Sequence, residues 1–206
     1  MTGRSHGPEL AADLEAFLSE RQAWPCRGAV AYGSRRPESD RDILAWTESP
    51  TPPTTFYEWP WDVFVVGVDE LATRLGLHDA VLVEGILTGT AVLDPHGDLE
   101  RLRALIGTAP AADIRRYNLE RARCCLEGVK DEPTRAAASL RYDLAFSCSY
   151  LLVAERFAGS PLVLSELRDD SPLLARLLEK AQPLPVAQLS AELDARLSSI
   201  EASLDQ

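Results

Sequence analysis

The sequence predicts an α+β protein: a small mixed β-sheet domain over residues 1–107, followed by an all-α helical bundle over 108–206. Three observations predict it. Short apolar runs closed by turn residues recur in the first half, at 27–32, 41–47, 61–66 and 90–93, with the length and punctuation of strands. Helical patterns flank and interrupt those runs, an order that builds a small mixed sheet with helices against it. Beyond Thr108-Ala109-Pro110, which reads as a hinge, the pattern is helical throughout.

Pro8 opens the first helix, over 8–21, with Leu10, Leu14, Phe17 and Leu18 at helical spacing. Strands are expected at 27–32 and 41–47. The stretch 47–56 carries Pro50, Pro52 and Pro53 and is expected to be a loop. After Pro60 comes a strand at 61–66. Asp69 and Asp79 precede helical runs ending near Leu77 and Leu87, as N-caps do. A short strand at 90–93 follows, and Asp98 starts a helix that ends at Gly107. In the second half, helices are expected over 111–128, 134–158, 162–180 and 185–204. Gly128, Gly159 and five prolines (Pro133, Pro161, Pro172, Pro183, Pro185) mark their ends, starts or breaks. Leu140, Leu144, Ser147, Leu151 and Leu152 trace one face of the second of these helices, as a bundle requires.

Charge narrows the function. The net charge is −11, from 21 Lys and Arg against 32 Asp and Glu. Tight non-specific binding of nucleic acid needs clustered cations that displace counterions, so that class is disfavoured. A neutral or cationic small substrate is compatible. Cys26, Cys124, Cys125 and Cys148 form no Cys-x-x-Cys pair, and His6, His78 and His96 are scattered, so no zinc site is expected. Cys124, Cys125 and Cys148 read as small core residues, and His78 and His96 as surface residues. Residues 1–20 are charged and amphipathic, unlike a secretory signal, and no apolar run is long enough to span a bilayer. A cytoplasmic location with reduced cysteines and no membrane partner is the expectation.

The most informative stretch runs from Ala29 to Trp46. An apolar run ends in Gly33-Ser34, a short polar loop follows, and Asp40-Arg41-Asp42 opens a second apolar run. Strand side chains alternate faces, so Asp40 and Asp42 point the same way with Cα atoms about 7 Å apart. A divalent cation between them relieves their repulsion, and oxygen ligands suit Mg²⁺. Gly-Ser at a strand end offers an open backbone N–H and a hydroxyl, groups that hold phosphate. Arg35 and Arg36 either reach phosphate oxygens or lie solvated. Ser39 either bonds phosphate or caps the loop. Asp143 either meets substrate or pairs within the bundle. Trp24, Trp46, Trp59 and Trp61 either fill core or line a slot for a ring.

In this order (strand, Gly33-Ser34, loop, Asp40-x-Asp42, then Asp62 in Trp61-Asp62-Val63-Phe64) the chain resembles the DNA polymerase β-like nucleotidyltransferase superfamily. Its minimal, kanamycin and lincosamide members are the closer likeness. The resemblance covers about residues 25–107, and Asp94-Pro95-His96-Gly97 looks like the turn that closes such domains. It implies that Asp40, Asp42 and Asp62 are the catalytic and metal-binding carboxylates, with Glu58 next in line for the third place. It implies that Gly33, Ser34, Arg35, Arg36 and Ser39 bind a nucleoside triphosphate, ATP first, with Mg²⁺. The acceptor would be a hydroxyl on a small molecule, antibiotic-like or a biosynthetic intermediate, with the helical half on the acceptor side. A toxin–antitoxin-type modifier of RNA or protein and a catalytically degenerate relative are the alternatives, and a homodimer is left open. Two departures stand out. The loop between Ser34 and Asp40 is short for the family, and Arg41 replaces an apolar residue, setting a positive charge beside the metal strand.

Overall fold

The computed structural model describes residues 7–21, 23, 25–33, 39–48, 53–132, 134–179 and 185–204. The protein is α+β. Among the described residues its elements run α1 (Gly7–Glu20), β1 (Gly28–Tyr32), β2 (Arg41–Thr47), β3 (Thr54–Glu58), β4 (Trp61–Gly67), α2 (Val68–Gly76), α3 (Ala80–Thr88), β5 (Thr90–Leu93) and α4 (Asp98–Leu105). Five more helices follow: α5 (Ala111–Asp131), α6 (Ala137–Arg156), α7 (Leu164–Asp170), α8 (Pro172–Leu178) and α9 (Val186–Leu204). The chain divides into two compact units, Met1–Leu75 with Glu84–Ile106, and Gly76–Val83 with Gly107–Gln206. Relative to a single break after residue 107, the segment Gly76–Val83 groups with the second unit.

The sheet of the first unit has the order β3-β4-β2-β1-β5. Only β2 and β4 run parallel; the other neighbours are antiparallel. Period-two alternation sorts its residues cleanly. Ala29, Ile43, Ala45, Val63 and Val65 point to one face and bury against Leu14, Phe17 and Leu18 of α1. The Phe17 and Trp61 rings lie 5.4 Å apart within that layer. The opposite face carries Val30, Leu44, Phe64 and Trp46, and α3 lies over it. A Cβ built on Gly85 would stand 3.4 Å from both Leu44 and Tyr32, and one on Gly89 would crowd Val30. After β5, Asp94 accepts the Asp98 N–H at 2.7 Å and so caps α4, while the left-handed Gly97 (φ 67°) turns the chain.

The second unit is a helical layer whose core takes Leu119 and Leu126 of α5, Leu144 and Leu151 of α6, Leu174 of α8 and Leu193 of α9. Leu140, Leu144, Ser147, Leu151 and Leu152 are all buried, as their spacing predicts. Ser147 donates to the Ala122 carbonyl at 3.1 Å, joining α6 to α5. Asp79 is buried and caps α3 through the Val81 N–H at 3.2 Å; Tyr117 and Tyr150 donate their hydroxyls to it at 2.7 and 3.1 Å. Asp143 pairs with Arg135 at 2.5 Å.

Four expectations are corrected. The expected loop over 47–56 is not all loop: its residues 54–56 belong to β3 (Thr54–Glu58), an edge strand paired to β4. The helix expected over 162–180 is two helices, because Pro172 starts α8 and Ser171 caps it by accepting the Leu174 N–H. His78 is not a surface residue: it is fully buried in the left-handed region (φ 54°), its Nε2 accepting the Leu162 N–H at 2.8 Å and its ring edge-on to Phe157. Cys124 is exposed rather than core, although Cys148 is buried. Of the tryptophans, Trp46 and Trp61 are core and Trp59 is exposed; Trp24 lies outside the described residues.

Candidate active site

The site forms where β1 ends and β2 and β4 begin. Antiparallel pairing sets Tyr32 opposite Asp42, parallel pairing sets Asp42 beside Asp62, and antiparallel pairing sets Asp62 opposite Tyr57. Residues in register share a face, so Tyr57, Asp62, Asp42 and Tyr32 form one row across four strands. Asp40 stands two residues before Asp42 and joins them. One carboxylate oxygen from each of Asp40, Asp42 and Asp62 lies within 4.8 Å of the others, and all three residues are half-buried.

Three ionised carboxylates at this spacing repel each other by roughly 3 kcal/mol per pair at an effective dielectric near 20. That is a large fraction of a typical folding free energy. A hard divalent cation relieves all three repulsions at once, and this donor set of oxygens suits Mg²⁺.

Gly33, at the end of β1, lets the Asp42 carboxylate pack directly against the backbone. It is exposed, with φ at 75°, and a Cβ there would overlap Oδ2 of Asp42 and stand 3.1 Å from its Cγ. Only glycine meets both the backbone and the clearance requirement. Ser39 is half-buried immediately before Asp40. Ser34, Arg35 and Arg36 lie outside the described residues, so the expected phosphate loop is described only at its two ends.

A solved structure of a nucleotidyltransferase-like protein from Exiguobacterium sibiricum 255-15 is similar to this chain. The two are 18% identical, the match covers 92% of this chain and 75% of that one, and the TM-score is 0.41. No protein-family model and no curated protein matches the chain.

Arg41 does not stand beside the carboxylates. Alternation turns it to the other face of β2, where it meets Asp13 of α1 at 3.8 Å and sits over the Trp61 ring, 5.0 Å from its centroid. The departure at this position is therefore spent on packing, and its charge is directed away from the site. Glu58, the fallback for the third carboxylate, is also on the wrong face: it pairs in register with Trp61 and forms an ion pair with Arg21.

Sequence reasoning missed Tyr32. Its ring lies against α3 at Gly85, and its phenol feels the charges of Asp42, Asp62 and Glu84. Burial first, and those carboxylates second, push the phenol well above its ordinary range, so it stays a neutral donor beside the acidic group. The available signal was its position one residue before Gly33 on the Asp42 side of the sheet.

Proposed function

We propose that the chain is a Mg²⁺-dependent nucleotidyltransferase that moves a nucleoside monophosphate from a nucleoside triphosphate, ATP first, to a hydroxyl of a small-molecule acceptor. The observation that carries this reading is the convergence of Asp42 on β2, Asp40 just before it and Asp62 on the parallel neighbour β4, with Gly33 at the end of β1 packed against the Asp42 carboxylate. When bound, the metal neutralises charge on the triphosphate as the leaving group departs.

Asp42 on β2, Asp40 just before it and Asp62 on β4 would together hold the cation. Gly33, with no side chain of its own, would let phosphate oxygens approach the backbone at the end of β1, and Ser34, Arg35 and Arg36, outside the described residues, are the phosphate contacts the sequence suggests. Asp62 accepts a hydrogen bond from the acceptor hydroxyl and holds it in line with the α-phosphorus. The oxygen–phosphorus bond forms as the bond to pyrophosphate breaks, and the hydroxyl proton passes to Asp62.

The test pairs two measurements on Asp62→Asn: nucleotide affinity by calorimetry and the single-turnover rate with labelled triphosphate and an extract of small-molecule acceptors. Nucleotide affinity should change little, because the phosphates are held from the β1 side, while the rate falls at least about 100-fold. A rate near wild type would remove Asp62 from the mechanism. No labelled product from the wild type with any triphosphate would favour the degenerate alternative.

A further inference from the structure

His78 combines three unusual features. It is fully buried, it alone among the described non-glycine residues lies in the left-handed region (φ 54°), and its Nδ1 has no hydrogen-bond partner among the described residues. A side chain in that region strains the backbone, and the strain persists only where the surroundings fix it. Here one loop does so. Nε2 accepts the Leu162 N–H at 2.8 Å, and the imidazole stands edge-on to the Phe157 ring with centroids 5.1 Å apart. Phe157 packs in turn on Gly107, where a Cβ would stand 3.0 Å from its ring. Between the two anchors, Ala158, Gly159, Ser160 and Pro161 are all exposed. One imidazole therefore holds both ends of the loop that joins α6 to α7.

That hold works in one protonation state only. Nε2 accepts an N–H with its lone pair, so it must be bare while Nδ1 carries the proton. A second proton on Nε2 would aim a donor at the Leu162 donor and leave a charge out of water. Burial holds the imidazole below its ordinary value near 6.5, against a weaker pull from its own backbone and from Asp79. Asp79 is itself occupied by the hydroxyls of Tyr117 on α5 and Tyr150 on α6. The other charges on these helices near the loop have partners of their own. Arg115 donates to the Ala154 carbonyl, Arg121 lies over the Tyr150 ring, Glu155 pairs with Arg196, and Arg156 with Asp170. Residues 107–109 and 157–163 carry no charge.

We propose that His78 is a proton-operated latch on the α6–α7 loop, closed while the imidazole is neutral and opened when a proton takes Nε2. Opening gives the ring access to water, where its proton affinity returns to the ordinary value. The closed state is therefore fully favoured above about pH 6.5 and loses ground as pH falls below it. The opening is local, because the buried stripe of α6 that ends at Leu151 and Leu152 does not depend on the imidazole.

The test is amide hydrogen exchange of the full chain by NMR at pH 7.5, 6.5 and 5.5, expressed as protection factors. Leu162 should be about five- to tenfold less protected at pH 5.5 than at pH 7.5. At every pH the Leu151 and Leu152 amides should stay at least about tenfold better protected than Leu162. His78→Gln places an amide oxygen near the position of Nε2 and does not titrate, so its Leu162 protection should hold within about twofold across the range. Unchanged Leu162 protection in wild type overturns the proposal, as does an equal loss in His78→Gln. Leu162 protected as well as Leu151 and Leu152 overturns it too, since the opening would then be global. Should His78→Gln not fold, the ring nitrogen shifts of wild-type His78 decide. A bare Nε2 at pH 7.5 that gains its proton as Leu162 loses protection supports the latch, and a protonated Nε2 at pH 7.5 overturns it.

Discussion

Gly33 is where a single residue decides the site. Gly33→Ala adds a methyl group to a left-handed backbone and drives it into the Asp42 carboxylate. The conformational part costs about 1–2 kcal/mol, readable by urea unfolding. The steric part turns Asp42 aside and should weaken Mg²⁺ binding at least tenfold by calorimetry. Wild-type Mg²⁺ affinity in Gly33→Ala would mean that Asp42 is not a ligand. Arg41 gives the opposite forecast. It faces α1, and its pair with Asp13 is exposed on both sides and worth under about 1 kcal/mol. Arg41→Leu should leave Mg²⁺ affinity within about twofold, and a large gain would place the guanidinium near the metal after all. The sequence made the spacing of Asp40, Asp42 and Asp62 readable because strand periodicity is strict. It made Arg41 look troubling only until the same alternation is applied to it.

At the scale of elements, what was legible follows from how much of each element is buried. The strands flanking the site were readable because one face of each packs on a core and imposes a pattern. β3 was not, since an edge strand with Thr54, Thr55, Tyr57 and Glu58 all exposed carries no apolar alternation, and its neighbouring prolines suggest a loop. Tyr57 was lost with it. Asp79 was legible as a cap, but its two tyrosine donors come from α5 and α6, a long-range pairing no local pattern records. The burial of His78 was hidden for the same reason. Burial pushes its imidazole below the ordinary value near 6.5, and Nε2 can accept the Leu162 N–H only while unprotonated. The unfolded chain therefore binds the proton more readily than the folded one, so this contribution is complete above about pH 6.5 and is lost as pH falls below it. Urea unfolding at pH 7.5, 6.5 and 5.5 should show wild type losing stability across that window, and His78→Gln losing less. Parallel curves for the two proteins would remove His78 as the cause.

For the molecule as a whole, acidity and metal binding are one question. Residues 1–107 hold 9 Lys and Arg against 17 Asp and Glu, a balance of −8, and residues 108–206 hold 12 against 15, or −3. The three crowded carboxylates add to the electrostatic burden of the more acidic half. A ligand that binds only the folded state stabilises it by mass action, about 2.7 kcal/mol at a hundredfold excess over its dissociation constant. Among the described residues no helix is long and apolar enough to cross a membrane. The most direct measurement is thermal unfolding of wild type, Asp42→Asn and Asp62→Asn, each with and without saturating Mg²⁺. Mg²⁺ should raise the wild-type Tm by several degrees and the two variants by much less, with the metal-free variants at least as stable as metal-free wild type because each has lost one of three repelling charges. Equal Mg²⁺ shifts in all three proteins, or none in wild type, would contradict a metal site at Asp40, Asp42 and Asp62.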